Sequence, residues 1–253
     1  MTERFAPGAG AWRARLGKLR DVVRQELVTR QLTEAVPDGG PLRVLDAGCG
    51  QGTQLLRLAR RGHQATGLDT SDDLLAELAA GVAPGDHVRV VRGRAEDAAT
   101  LFGANAFDVV LCHGVLMYLD DPRPVLRAIR TVAAPGATVS LLVRNADALA
   151  MRPAQLGDWA AAARAFDDPA YGNRIGVTAR ADHLADLSAH LADLDMPVRE
   201  WFGVRVFTDL AADDAPPPDG DALDLLLACE ERAARTDPYR RVAPLLHVIA
   251  DRR

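Results

Sequence analysis

The residue pattern with the clearest chemical meaning is a glycine-rich segment near the start of the chain. An apolar run that ends at Asp46 leads directly into Gly48, Cys49, Gly50, Gln51 and Gly52. Glycine at alternate positions lets the backbone turn tightly and lets a ligand approach without a Cβ in the way. In an open α/β sheet, ligands bind at such turns beyond the carboxyl ends of the strands. We therefore predict a ligand site here, against the alternative of a glycine turn without a ligand.

The spacing of these glycines indicates the kind of ligand. The pattern is G-x-G-x-G, and Thr53 stands where a dinucleotide-binding loop has its third glycine. The dinucleotide pattern places a pyrophosphate at a helix N-terminus. The present spacing suits a nucleoside without phosphates, and S-adenosylmethionine (SAM) is such a ligand. A nicotinamide cofactor is the less favoured alternative.

A carboxylate follows at a spacing that suits a ribose. Asp69 ends the next predicted strand, twenty-one positions after Gly48. A carboxylate there can accept hydrogen bonds from both ribose hydroxyls. The alternative is that Asp69 caps the following helix through Thr70 and Ser71.

Two later strand ends carry further polar candidates. Glu96 or Asp97, after the third strand, can accept from the amino group of an adenine, or both can be turn residues that face solvent. His113 lies just beyond the fourth strand. We predict that it contacts the cofactor, while a structural role and a general-base role both stay open, since histidine titrates near neutrality.

Two arginines are candidates for orienting an acidic acceptor. Transfer of a methyl group from a sulfonium depends largely on alignment and proximity. A carboxylate acceptor is ionised at neutral pH, so it needs orientation more than deprotonation. Arginine orients carboxylates through paired hydrogen bonds. Arg144, beyond the fifth strand, and Arg205 are the candidates, although either alone could be a surface residue.

The elements that must position these residues alternate regularly. Apolar periodicity predicts an amphipathic helix over residues 11–36, and then strands and helices in turn. This alternation predicts a parallel sheet with helices on both faces. The predicted strands or extended segments are 42–46, 64–69, 87–92, 107–112, 138–143, 198–207 and 245–251. The predicted helices after the first are 51–61, 71–80, 122–133, 181–194 and 223–235.

Two segments interrupt this alternation. Residues 145–180 contain prolines around a helical stretch at 158–165, which predicts an inserted lid over the strand ends. Residues 213–220 are acidic and proline-rich, which predicts a mobile surface connection. We divide the chain into an N-terminal helical cap at 1–40 and one domain at 41–253.

Composition limits the class of protein. Cys49, Cys112 and Cys229 lie far apart without a metal-ligand pattern, which predicts reduced thiols in a cytoplasm and no metal site. No apolar run is long enough to span a bilayer, and the first residues do not resemble a secretory signal. The net charge of −5 disfavours a nucleic-acid partner, whereas the basic excess of residues 1–30 favours one.

With these residues identified, the chain resembles the class I SAM-dependent methyltransferases. More closely, it resembles the bacterial tRNA 5-carboxymethoxyuridine methyltransferase family, which methylates the carboxylate of a wobble uridine. The resemblance runs over most of the chain and extends well beyond the glycine turn. The matching blocks are 17–20, 45–48, 61–64, 113–116, 121–123, 145–146, 203–207, 238–239 and 247–248.

The resemblance implies a fold and a set of cofactor contacts. The fold is the Rossmann-like α/β fold of class I methyltransferases, with a seven-stranded, mostly parallel sheet and an inserted lid. Arg20 would hold the SAM carboxylate, Asp69 the ribose, and His113 would lie near the methyl group. Ala95 and Glu96 would contact the adenine. The full predicted cofactor set is Arg20, Asp46, Gly48, Cys49, Gly50, Gly52, Asp69, Ala95, Glu96 and His113.

The chain also departs from this family at three places. Cys49 replaces a glycine, Glu96 replaces a glutamine, and the acidic pair Asp167-Asp168 replaces a run of lysines. We predict SAM-dependent methylation of a carboxylate on a modified tRNA nucleoside. The alternatives are an O-methyltransferase for a small-molecule acid and a SAM-binding regulatory module without catalysis.

Overall fold

A computed structural model describes residues 6–36 and 39–253 of the protein. The strands are β1 Arg43–Ala47, β2 Gln64–Asp69, β3 Val88–Arg92, β4 Phe107–His113, β5 Ala133–Arg144, β6 Ala170–Gly172, β7 Thr178–Arg180, β8 Val198–Val204 and β9 Leu245–Asp251. The α-helices are α1 Ala9–Arg13, α2 Leu19–Ala35, α3 Thr53–Arg60, α4 Asp72–Ala80, α5 Ala98–Phe102, α6 Arg123–Val132, α7 Met151–Gln155, α8 Trp159–Arg164, α9 Leu184–Asp193 and α10 Asp221–Arg235. In this described part of the chain, no helix is both long and apolar enough to cross a membrane.

Seven strands form one sheet, in the order β3-β2-β1-β4-β5-β9-β8. The pairs from β3 to β5 are parallel, and β9 runs antiparallel to both of its neighbours. The prediction of a seven-stranded, mostly parallel sheet is confirmed. The chain order reverses between β1 and β4, so the carboxyl ends of these two strands open on one crevice.

Helices cover both faces of the sheet, and the strand pattern shows why. Val44 belongs to the hydrophobic cluster that contains Leu27 of α2, whereas its neighbour Leu45 belongs to the cluster that contains Ile129 of α6. Alternate residues of a strand point to opposite faces, so an uninterrupted apolar run supplies both layers of core. The sheet is therefore buried on both faces. The crevice at the carboxyl ends of β1 and β4 is where a ligand is expected to bind.

The N-terminal amphipathic helix is shorter than predicted. The prediction is right for residues 19–35, but it is wrong from 14 to 18, where α1 has ended and α2 has not begun. Gly17 has a φ of 72°, in the left-handed region, and its N–H donates to Asp21 Oδ2 at 3.0 Å. This turn breaks the helix and sets the direction in which α2 leaves it.

The inserted segment holds more structure than predicted. The helical stretch expected at 158–165 corresponds to α8, which Asp158 caps by accepting from Ala161 N at 3.0 Å. The helix α7 and the hairpin of β6 and β7 were not predicted from the sequence. Pro153 is one of the prolines of this segment. It lies in the first turn of α7, where proline is tolerated.

Candidate active site

A cavity of about 600 Å³ opens at the carboxyl ends of β1, β4 and β5. Its walls are the glycine turn, α2, the inserted segment of residues 145–180 (called the lid below) and the loop after β8. Eight of the predicted site residues line it, namely Arg20, Asp46, Gly48, Cys49, Gly50, His113, Arg144 and Arg205. Four others lie outside the lining, namely Gly52, Asp69, Ala95 and Glu96.

The glycine turn needs its glycines for the backbone itself. Gly48, Gly50 and Gly52 have φ values of 87°, 54° and 78°. A Cβ on Gly48 would overlap Val115, and one on Gly52 would overlap Leu78. Side chains at these positions would push the turn away from its neighbours, so glycine fixes where the cavity wall lies.

Asp46 is a buried carboxylate on the cavity wall. Its Oδ1 has no hydrogen-bond partner among the described residues. Burial, and secondarily the charge of Asp69, raise its pKa to about 7. A buried acceptor without a partner is unfavourable until a donor reaches it, and a cationic donor suits a carboxylate best. This wall of the cavity therefore fits an ammonium group.

Asp69 joins the glycine turn to α4. Its Oδ2 accepts from Gly50 N at 2.9 Å, and its Oδ1 accepts from Ser71 N at 3.0 Å. The N-cap of α4 is Ser71, whose Oγ accepts from Leu74 N at 3.4 Å. Asp69 thus has structural contacts, and its ribose contact stays a prediction. At the third strand end, Glu96 accepts from Arg94 Nε at 3.0 Å.

His113 is the first member of a buried chain of hydrogen bonds. His113 Nε2 lies 2.8 Å from Ser140 Oγ, which lies 2.7 Å from His247 Nε2. His247 Nδ1 lies 2.6 Å from Gln31 Oε1 on α2. Burial, and secondarily the charge of Arg24, lower the pKa of His113 to about 3. The ring is therefore neutral near pH 7, and because so low a pKa makes it a weak base, an orienting role is favoured over proton abstraction.

The direction of this chain follows from its end. Gln31 Oε1 can only accept, so His247 Nδ1 donates to it and His247 Nε2 accepts from Ser140 Oγ. Ser140 then accepts from His113 Nε2, which leaves His113 Nδ1 without a hydrogen. An unprotonated nitrogen is thus available on a residue that lines the cavity.

Arginine dominates the charge of the cavity. The eight arginines that line it are Arg15, Arg20, Arg24, Arg144, Arg152, Arg164, Arg174 and Arg205, against Asp46, Asp158 and Asp209 as the acidic lining residues. Five of these arginines hold a buried nitrogen without a hydrogen-bond partner in the described chain. These atoms are Nε of Arg15, Arg20, Arg144 and Arg205, and Nη1 of Arg174. Buried donors are normally satisfied, so this wall is suited to anions.

One carboxylate from outside the lining reaches three of these arginines. Asp213 accepts from Arg15 Nη2 at 2.6 Å and also pairs with Arg20 and Arg174. Two residues later, Ala215 O accepts from Leu19 N at 2.9 Å. The start of the loop predicted to be a mobile surface connection therefore has contacts with the N-terminal segment and with Arg174; its mobility stays a prediction. Arg20, predicted to hold the SAM carboxylate, has a carboxylate of the chain beside it.

Arg144 and Arg205 share one end of the cavity. The guanidinium of Arg144 lies 5.3 Å from the ring centre of Tyr171. Arg205 Nη2 lies 3.2 Å from Asp209 Oδ1. Burial lowers the pKa of Arg205 to about 10, although Asp209 acts to raise it and Arg144 lowers it further. The structure therefore brings the two predicted arginines together.

A buried glutamate fixes the loop that carries Arg205. Glu230 on α10 accepts from the backbone N–H groups of Val206, Phe207 and Thr208 at 2.7, 3.1 and 2.9 Å. It also accepts from Thr208 Oγ1 at 2.7 Å. These four bonds hold the residues after β8, so the position of Arg205 does not depend on its own side-chain contacts alone.

The other five arginines that line the cavity were not predicted from the sequence. Arg24 could have been found, because it lies four residues after Arg20 and so on the same face of α2. Arg152, Arg164 and Arg174 lie on the inserted segment. No spacing rule marks those three as lining residues, since only the folded lid brings them to the cavity.

Comparisons with known proteins agree with this geometry. The family model described as a methyltransferase domain matches residues 45–141. The tRNA 5-carboxymethoxyuridine methyltransferase of Escherichia coli (strain K12) is 30% identical over 246 residues, covering 92% of this chain and 90% of that protein. A ubiquinone biosynthesis O-methyltransferase of Aeromonas salmonicida (strain A449) is 38% identical over 113 residues, covering 43% of this chain and 47% of that protein.

Solved structures share the fold. The magnesium protoporphyrin IX methyltransferase of Synechocystis PCC 6803, with bound SAH, has a TM-score of 0.66 and 17% identity, covering 99% of this chain and 97% of that one. A SAM-dependent methyltransferase of Mesorhizobium loti has a TM-score of 0.59 and 17% identity, covering 88% and 96%. At these identities the likeness supports the fold alone.

The sheet order, the glycine turn and these matches define a class I SAM-dependent methyltransferase, an enzyme whose cofactor is SAM. Within that class, the chain belongs to the family of the tRNA 5-carboxymethoxyuridine methyltransferase. Over residues 6–36 and 39–253, no group of three or more histidine, cysteine or acidic side chains is arranged to hold a metal ion.

Proposed function

We propose that this enzyme transfers the methyl group of SAM to a carboxylate carried by a modified tRNA nucleoside, 5-carboxymethoxyuridine. The observation that supports an acidic acceptor most directly is the set of five buried arginine nitrogens without partners. One anion, the SAM carboxylate, cannot satisfy donors that are spread from α2 to the end of β5. A second anion at the Arg144 end of the cavity would complete the site.

The residues present fit SAM. Asp46 Oδ1, buried and without a partner, suits the α-ammonium group, and Arg20 Nε suits the carboxylate. The glycine turn, with Gly48, Cys49 and Gly50 in the lining, would receive the methionine part. Asp69 would take the ribose, and Ala95 and Glu96 would flank the adenine. When bound, SAM supplies an activated methyl group on a sulfonium.

Arg144 and Arg205 would orient the acceptor. Arg144 ends β5 and Arg205 follows β8; both line the cavity, and each has a buried Nε without a partner in the described chain. Two guanidinium groups can hold both oxygens of a carboxylate at a fixed distance from the methyl group. No base is needed, because the carboxylate is already ionised, and this agrees with the low pKa of His113. His113 would contact the cofactor near the methyl group.

A tRNA acceptor is supported by the E. coli relative, which carries that activity in its name and matches over nearly the whole chain. Such an acceptor implies that the enzyme works in the cytoplasm. A small-molecule acid is the second candidate. The exposed acidic pair Asp167-Asp168 on the lid favours it, because phosphates would be repelled there.

Labelled SAM distinguishes the two acceptors. The enzyme is incubated with labelled SAM and either bulk tRNA that contains 5-carboxymethoxyuridine or a metabolite extract. We expect the label in tRNA, as an ester that mild alkali releases. Label only in the extract would overturn the tRNA acceptor, and an ether or N-methyl product would overturn the carboxylate.

Variants of the two arginines test their role. Arg144→Ala or Arg205→Ala should lower kcat/KM roughly 10- to 150-fold, since a hydrogen bond to a charged group contributes about 1.5–3 kcal/mol. SAM affinity, measured by calorimetry, should be little affected. Arg127→Ala, an exposed arginine on α6, is the matched control. If both cavity variants turn over like the control, the orienting role is wrong.

A further inference from the structure

Exposed apolar side chains are concentrated on a few segments. Eleven large hydrophobic residues are exposed in the described chain, and eight of them lie in the inserted segment, on the loop after β8 or between α10 and β9. These eight are Met151, Leu156, Trp159, Phe166, Phe207, Leu210, Tyr239 and Val242. Exposed apolar residues that cluster in this way often mark a binding surface, whereas single ones need no explanation.

Five of these residues surround a second, smaller cavity. Met151, Phe207, Leu210, Tyr239 and Val242 line a space of about 270 Å³. Phe207 is 56% exposed and Tyr239 is 50% exposed. Their ring centres lie 6.0 Å apart, with the planes at 64°. We call these five residues the aromatic platform.

The platform begins where the active-site cavity ends. Arg152 and Asp209 line both cavities, so one ion pair, with Arg152 Nη1 3.9 Å from Asp209 Oδ2, separates them. Phe207 is two residues from Arg205, on the loop that Glu230 fixes. A group on the platform would therefore be a close neighbour of a group held by Arg205.

The backbone of the platform is firmly held although its side chains are exposed. Phe207 N and Thr208 N both donate to Glu230 Oε1, at 3.1 and 2.9 Å. The bond from Phe207 uses only the main chain, so its ring takes no part in it. A rigid backbone that presents an exposed aromatic ring lowers the entropy lost when a ligand binds.

We propose that the aromatic platform stacks an unpaired nucleobase next to the nucleotide whose carboxylate is methylated. This inference rests on the proposed tRNA acceptor. Aromatic faces stack on any base without sequence preference, and cationic groups beside them hold the backbone phosphates. Arg152 at the boundary and Arg241, whose side chain is 64% exposed, supply the cations. A cavity of about 270 Å³ has room for one planar group, which suits a single base.

RNA binding tests the platform independently of catalysis. The probe is a short, fluorescently labelled single-stranded RNA without modified bases, titrated by anisotropy with saturating S-adenosylhomocysteine. Phe207→Ala should raise the Kd roughly 5- to 150-fold, the range for loss of one stacked base. Phe207→Trp should keep the wild-type Kd, which shows that the effect comes from the ring. Leu210→Ala on the platform should weaken binding, whereas Leu101→Ala on α5, with the same 43% exposure, should not.

The outcomes separate this inference from the proposed function. If Phe207→Ala and Tyr239→Ala bind the RNA like the wild type, the platform is wrong even when tRNA is methylated. If Leu101→Ala weakens binding as much as Leu210→Ala, the effect is general and the platform is also wrong. If Phe207→Ala weakens RNA binding but the wild type never methylates tRNA, the platform stacks a base, whereas the proposed acceptor and the position of that base beside the methylated nucleotide are both wrong.

Discussion

Asp46 is a single residue whose burial has a consequence for stability. Its folded-state pKa of about 7 lies above the ordinary 3.8, so the folded chain keeps a proton that the unfolded chain loses between these pH values. Its contribution to stability is therefore lost as pH rises through this window, by up to about 4 kcal/mol. Unfolding of wild type and Asp46→Asn without cofactor, at pH 5 and pH 8, checks this. The wild type should lose stability relative to Asp46→Asn between these pH values.

The same residue predicts how SAM binding depends on pH. A cation beside Asp46 favours its ionised form, so SAM affinity of the wild type should rise from pH 5 to 7 and then level off. Calorimetry of Asp46→Asn is the control, since an amide does not ionise and should give a flatter profile. Equal profiles for the two proteins would contradict the placement of the ammonium group at Asp46.

Ser140 is a second residue whose role is testable. It is buried between His113 and His247 and should hold His113 with the hydrogen on Nε2. In Ser140→Ala this preference should be lost, and stability should fall by about 1–3 kcal/mol because buried partners are left unpaired. The ¹⁵N shifts of the His113 ring report the tautomer directly. Thr138→Val, at a buried position two residues earlier on β5, is the matched control and should leave the tautomer unchanged.

Residues were predictable where the signal was local. Asp46, Gly48 and His113 line the cavity as predicted, because each stands at a strand end that the sequence itself marks. The hydrogen-bond partners of His113 were not predicted, because they are distant in sequence. Ser140 follows His113 by 27 positions, and His247 follows Ser140 by a further 107. Only the pairing of β4, β5 and β9 brings them together.

At the scale of elements, α10 positions the loop after β8 through Glu230. Glu230→Gln should turn one acceptor of this cluster into a donor that faces an N–H group. We expect a loss of about 1–3 kcal/mol in unfolding free energy, together with lower turnover because Arg205 is displaced. Chemical denaturation and steady-state kinetics measure the two effects.

The neighbouring Glu231 provides the control for this prediction. It pairs with Arg30 at 2.8 Å in a partly exposed position, and such pairs contribute at most about 1 kcal/mol. Glu231→Gln should therefore be nearly neutral in both assays. If the two variants behave alike, the bonds to Glu230 do not fix the loop.

Strands were predicted well where polar or turn-forming residues bracket them. β2 and β9 have the predicted bounds, 64–69 and 245–251. The hairpin of β6 and β7 was missed because each strand has three residues, too few to show alternation. The predicted N-terminal helix is too long because the helical spacing of apolar residues continues on both sides of Gly17. The pattern does not reveal that Gly17 has a left-handed backbone conformation.

At the scale of the whole molecule, the net charge of −5 does not describe the charge of the active-site cavity. The sum does not show that eight arginines converge on one cavity. Binding of tRNA should therefore weaken steeply with salt, with a slope in log K against log[salt] of about −0.7 for each phosphate contacted in a single strand. Anisotropy titrations between 50 and 200 mM salt measure this slope. A metabolite acid should show a shallow slope, and a shallow slope for tRNA would mean that the arginines do not meet phosphates.

The position of Asp213 makes ligand binding at the arginines an exchange. This carboxylate already pairs with Arg15, Arg20 and Arg174, and because it is tethered its effective concentration there is high. The binding free energy of an incoming anion is therefore only the difference between the energy of its own contacts with the arginines and the energy of the Asp213 contacts that it displaces. A simple anion such as chloride gains little from such an exchange. A ligand whose charges are spaced to meet several guanidinium groups at once gains much more, so the internal counter-ion makes the cavity selective for shape as well as for charge.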